Sequence, residues 1–221
     1  MITDLKINAE RKQFYYEKGY WTEKTLGDVW ADRVASHPER TYVSDDQGSS
    51  YTYGEIDDKA ARLAAWLVEQ GVAPGDVVTF QMPTWAEFCI VYVAALKAGA
   101  VMHPLPRNFN DADLVYGMNL VGSRAFICPT KVAKVDFESQ ILSIVDQIPT
   151  LGPVALVDKA APKHSELPTV AEICARYEPI EYPPPITSDD VACILSTSGT
   201  RASPKRCCSR ITTSSSPSGR S

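Results

Sequence analysis

From Tyr53 onward, apolar residues recur in two alternating patterns. Helical spacing puts Ile56, Ala60, Leu63, Ala64 and Leu67 on one face of a helix over 55–70, and Gly71 is suited to cap its end. After the turn A-P-G-D, the run Val77 to Met82 reads as a buried strand. The alternation continues with helix Trp85 to Ala98, strand Val101 to Leu105, helix Asp111 to Leu120 and strand Ala125 to Cys128. Helix Phe137 to Gln147, strand Val154 to Val157, helix Val170 to Tyr177 and strand Val191 to Leu195 follow. Strand, helix, strand at this spacing predicts right-handed crossovers: an α/β fold with a mostly parallel, doubly wound sheet covered on both faces. Upstream, residues 9–21 predict a short amphipathic helix ending near Gly19, and Thr25 to Ser36 a second helix that starts at a capping threonine. Thr41 to Ser44 and Ser50 to Tyr53 read as two strands around an Asp/Gly turn.

Composition changes this picture little: 44% hydrophobic and 22% charged residues are ordinary for a globular chain of 221 residues. Charge is placed unevenly. Residues 1–190 hold 17 basic against 27 acidic residues, a net of −10, whereas 191–221 carry five basic residues and no acid. An acidic body argues against nucleic acid as a partner. The six cysteines form no C-x-x-C pair and read as free thiols in a reducing compartment, and the N-terminus lacks the apolar core of a signal peptide. The expected location is therefore the cytoplasm. No apolar run is long enough to span a bilayer, although Phe14, Tyr15, Tyr16, Tyr20 and Trp21 offer peripheral membrane contact as an alternative to packing on the body.

The chemistry concentrates where the last strand ends. Val191 to Leu195 run into Ser196-Thr197-Ser198-Gly199-Thr200, followed by Lys205. Hydroxyls and backbone N–H groups at the carboxyl end of a parallel strand can converge on phosphate oxygens, and glycine lets the backbone approach closely. Lys205 adds a mobile positive charge. Elsewhere, His103 at a strand end reads as structural, Trp85 and Glu87 fit either a ligand edge or a helix start, and Asp57, Asp58 and Lys59 read as an exposed helical face.

This loop resembles the phosphate-binding motif T-S-G-T-T-G-x-P-K-G of the adenylate-forming (AMP-binding) superfamily. Thr197-Ser198-Gly199-Thr200 match it and Pro204-Lys205 fall at its spacing, while Arg201 and Ala202 replace Thr-Gly. Y-E-K-G-Y-W, S-Y-T-Y-G-E-I-D, G-V-A-P-G-D-V-V, Q-M-P-T-W-A-E-F and A-L-K-A-G-A-V-M-H-P-L resemble, in order, stretches of fatty-acid and related acyl-CoA synthetases. The resemblance covers residues 1–200, the N-terminal part of an AMP-binding domain. It implies a two-step ligase. A carboxylic acid, expected to be a fatty acid, attacks the α-phosphate of Mg²⁺-bound ATP to give an acyl adenylate, and coenzyme A then displaces AMP. Thr197, Ser198, Gly199, Thr200 and Lys205 are the phosphate-binding residues it implies. No catalytic or metal-binding residue is assigned, because the family's remaining machinery follows this segment, and the chain alone is expected not to turn over. A non-catalytic nucleotide-binding fragment and a non-functional remnant are the rival readings.

Residues 201–221 form a basic tail with seven serines, no acid and one large aliphatic residue, expected to be irregular. A shifted reading frame explains it. Codons built from the last base of one residue and the first two of the next, starting at Arg201 and Ala202, allow G-K-P-K-x-V-L-L-T-H-N-N-I-L, which is similar to the family's continuation. The expectation is a frameshift product after Thr200.

Overall fold

The computed structural model describes residues 8–158, 166–180, 186–197 and 205–210. Two helices, α1 (Ala9–Glu17) and α2 (Leu26–Ser36), precede a small hairpin of β1 (Thr41–Ser44) and β2 (Ser50–Thr52). The alternating part runs α3 (Tyr53–Glu69), β3 (Val77–Gln81), α4 (Glu87–Lys97), β4 (Val101–Leu105), α5 (Asp111–Val121) and β5 (Ser123–Pro129). After a second hairpin, β6 (Lys131–Val132) and β7 (Val135–Asp136), come α6 (Phe137–Ile144), β8 (Val154–Val157), α7 (Val170–Arg176), β9 (Val191–Thr197) and β10 (Lys205–Arg210).

Six strands form the main sheet in the order β10-β9-β4-β3-β5-β8, with every pair parallel except β10 with β9. The strand at the middle, β3, is buried at every residue, as a parallel strand covered on both faces must be. Helices α3, α4 and α7 cover one face, where Leu63, Leu67 and Ile90 meet Val78, Phe80, Met102 and Ile127. On the other face Leu114 and Met118 of α5 and Phe137 and Ile141 of α6 meet Leu105, Phe126 and Cys128. Each large side chain so buried contributes about 1.5–3 kcal/mol.

The strand boundaries follow local chemistry. Tyr53, expected to end a strand, opens α3 instead, because Thr52 and Glu55 form a capping box: Glu55 N donates to Thr52 Oγ1 at 3.2 Å and Thr52 N donates to Glu55 Oε2 at 2.8 Å. β5 begins two residues earlier than expected, at Ser123, directly after Gly122 ends α5 in the left-handed conformation. Asp57, expected on an exposed face, is a half-buried junction. It accepts from Trp30 Nε1 at 2.7 Å and pairs with Lys97 Nζ at 2.8 Å, so one carboxylate ties α2, α3 and α4 together. Helical periodicity marks which face is polar but not which neighbour will meet it.

The tail also differs from an irregular chain over six residues. β10 pairs antiparallel with β9 from Lys205 opposite Thr197 to Arg210 opposite Val191. The β9 edge presents unpaired N–H and C=O groups, and any extended segment returning alongside satisfies them, whatever its side chains.

Candidate functional site

The expected phosphate loop hangs from β9, and the sheet fixes where that strand points. β9 runs parallel to β4, with Met102 opposite Cys193, so its last residue, Thr197, reaches the same rim as the ends of β3, β4 and β5. Ala192 and Ile194 are buried and anchor the strand, whereas Leu195 is 43% exposed and Ser196 half-buried, so the chain leaves the core just before the hydroxyl residues. In an open parallel sheet this carboxyl rim is where ligands sit.

Of the five expected phosphate-binding residues, Thr197 and Lys205 have a described backbone. They are cross-strand partners where β9 ends and β10 begins. Ser198, Gly199 and Thr200 lie outside the described residues.

The residues weighed beside this loop resolve into structural roles. His103 is 1% exposed, and its Nδ1 shares a 2.9 Å hydrogen bond with Thr79 Oγ1, which in turn bonds Ser123 Oγ. This chain of three polar groups crosses β4, β3 and β5 inside the core. Burial pushes the His103 imidazole down to about 4, so it stays neutral at physiological pH. Glu87 accepts from Ser49 Oγ at 3.0 Å and from Tyr51 Oη at 3.2 Å, which docks the first hairpin on the start of α4. Burial, and then the Glu87 charge, push the Tyr51 phenol up to about 12. Cys128 and Cys193 are buried free thiols, and burial raises Cys128 strongly. The aromatic residues of α1 pack mainly on one another, with Tyr15 and Trp21 ring centres 4.8 Å apart. Tyr16 Oη bonds Ser188 Oγ at 2.9 Å, and Lys12 pairs with Asp189, which ties α1 to the approach to β9.

Arg107, just after β4, and Lys131, just after β5, stand at the same rim. Neither belongs to a motif in the sequence, and only the strand order makes them neighbours.

No helix among the described residues is long and apolar enough to cross a membrane. Comparison with known proteins agrees with the architecture. The chain is 35% identical over 205 residues to the medium-chain fatty-acid–CoA ligase of Escherichia coli (strain K12), a match covering 93% of this chain and 36% of that protein. It is 28% identical over 201 residues to the salicyl-AMP ligase / salicyl-S-ArCP synthetase of Mycobacterium tuberculosis, covering 89% of this chain and 35% of that one. The apo structure of MbtA from Mycobacterium smegmatis superposes with a TM-score of 0.80 at 26% identity, covering 93% of this chain and 37% of that one. The chain thus spans about a third of the length of the relatives it matches. The model of the AMP-binding enzyme family matches residues 30–212, from within α2 through the sheet and the β9–β10 hairpin, and with most of its length accounted for in this way the chain belongs to that family.

Proposed function

We propose that this chain is the segment of an AMP-forming ligase that grips the phosphates of ATP, acting on a fatty or similar carboxylic acid and passing the acyl group to coenzyme A. The observation that carries this reading is the placement of Thr197 and Lys205 at the mouth of a hairpin on the carboxyl rim of a buried parallel sheet. There the loop Thr197-Ser198-Gly199-Thr200 presents hydroxyl and N–H donors to the β- and γ-phosphates, and Lys205 adds charge. Identity of 35% to a medium-chain fatty-acid–CoA ligase supports a fatty acid and coenzyme A, whereas the salicyl-AMP ligase match supports an aromatic acid. We favour the fatty acid on the higher identity.

The chemistry asked of these residues is positioning and charge neutralisation. An acid carboxylate attacks the α-phosphorus in line, pyrophosphate leaves, and the loop holds the departing phosphates so that the negative charge developing on them is stabilised. Mg²⁺ would neutralise part of that charge. Among the described residues no group of three or more His, Cys, Asp or Glu is placed to hold a metal ion. The thiolester step needs a thiol brought to the adenylate carbonyl with release of AMP.

We further propose that residues 1–200 form the family portion, that residues 201–221 are read out of frame, and that the protein is cytoplasmic. On this reading the purified chain binds ATP without turnover. Pyrophosphate release from ATP with octanoate or hexanoate tests it: none is expected from this chain, and steady release would overturn the binding-only assignment. Sequencing codons 195–221 tests the frame, and a shifted frame that does not encode G-K-P-K followed by V-L-L-T-H overturns that part.

A further inference from the structure

Helix α5 is apolar on both of its sides. Leu114, Gly117, Met118 and Val121 are buried in the core, while the opposite side carries Ala112, Val115, Tyr116 and Leu120. A helix that is hydrophobic all round belongs in an interior. Helix α4 is built the same way and obeys this: none of its residues is exposed, and α3 packs beside it. On α5 the outward side is left open. Tyr116 is 42% and Leu120 36% exposed, and with Val115 they floor an open groove of about 770 Å³ that reaches Gln147, in the turn Val145–Gln147 after α6.

The groove has a firm floor and an acidic border. Asp111 Oδ1 accepts from Gln140 Nε2 at 2.8 Å, and Asn119 Nδ2 donates to Gln147 O at 2.9 Å, so both ends of α5 are tied to α6 and the turn that follows it. At about 100° per residue, Val115, Ala112, Tyr116 and Leu120 form one stripe, bordered by Asp111 on the side of α6 and by Asp113 on the other. Asp146, exposed, stands next to Gln147 at the far end. Among the described residues none of these three carboxylates is in an ion pair, and no described residue that lines the groove is a lysine or arginine.

We propose that this groove docks a basic amphipathic helix of another protein. The partner's apolar residues, spaced three and four apart, lie over Tyr116 and Leu120, and its lysines or arginines reach Asp111, Asp113 and Asp146. Charge selects this occupant. An apolar groove bordered by acids attracts a cationic partner, and the net charge of −10 over residues 1–190 steers it from a distance. A second copy of the chain packed face to face would set these carboxylates against their own equivalents, and an anionic lipid surface meets the same repulsion. The inference stands apart from the ligase reading, since it uses neither the loop after β9 nor any phosphate.

Fluorescence anisotropy of labelled peptides of about 15 residues, titrated with the 221-residue chain, tests it. The probes are a Leu/Lys peptide with leucines at helical spacing, its Leu/Glu counterpart, and a scrambled Leu/Lys peptide of equal charge whose leucines share no face. Wild type should bind the first at least about tenfold more tightly than the other two. Tyr116→Ser/Leu120→Ser, at exposed positions, should weaken that binding about tenfold through lost apolar contact. Asp111→Asn/Asp113→Asn should weaken it several-fold and flatten its salt dependence, with circular dichroism confirming that both variants keep the fold. No binding by wild type, equal binding of the scrambled peptide, or unchanged affinity in the Tyr116/Leu120 variant overturns the proposal. Concentration-dependent dimerisation in sedimentation that the same variant abolishes would assign the groove to a second copy and overturn the basic partner.

Discussion

The middle of the sheet and its β9–β10 margin are built by different rules. Every residue of β3 is buried, with helices packed over both faces, so hydrophobic side chains set its position and register. At the margin β9 is anchored by Ala192 and Ile194 and is then released to solvent at Leu195, and β10 is attached through its backbone pairing. The first arrangement makes a rigid platform that few substitutions can leave intact. The second brings the end of β9 out to solvent at the carboxyl rim, with Leu195 exposed and Ser196 half-buried.

The largest expected effect separates the two regions directly. Phe80→Ala removes a side chain 1% exposed that packs edge-to-face on Phe88, and it should cost about 3–5 kcal/mol in denaturant unfolding. Leu195→Ala at the margin, where the side chain is 43% exposed, should cost no more than about 1 kcal/mol. Equal losses would break the contrast.

Acid sharpens it next. The His103 pKa is depressed in the folded chain to about 4, so the unfolded chain binds the extra proton first as pH falls through the ordinary histidine range. Stability from keeping His103 neutral is therefore fully present above about pH 6.5 and is lost progressively down to about pH 4. The loss from this group is about 3 kcal/mol at most. Urea melts between pH 7 and 4 should show a steeper decline for wild type than for His103→Gln, and parallel curves would remove the histidine from the explanation. A smaller effect belongs to the start of α3: Thr52→Ala breaks the capping box and should lower stability by about 1 kcal/mol without altering ligand binding.

Most of the platform was legible in the sequence because burial writes a period into it. Val77 to Met82 and Val101 to Leu105 read as strands, and Ile56 to Leu67 as a helical face, since each must hide one or both sides from water. Side-chain meetings between distant elements leave no such trace. Asp57 joining Trp30 and Lys97, and Thr79 joining His103 and Ser123, depend on how helices and strands are set against one another. The strand before the expected loop was legible from its apolar run Val191 to Leu195, whereas Ser198, Gly199 and Thr200 lie outside the described residues. Arg107 and Lys131 were not legible, because they lie 24 residues apart on different loops and only the order β4-β3-β5 makes them neighbours. β10 was missed because its pairing uses backbone groups that every sequence carries.

The most direct test of the phosphate hook is a calorimetric titration of ATP into the chain and into Ser198→Ala/Thr200→Ala. Loss of two hydroxyl donors to phosphate should weaken ATP binding about tenfold or more while the thermal melt stays within a few degrees of wild type. Equal ATP affinity in the two proteins would contradict the placement of the triphosphate at the end of β9.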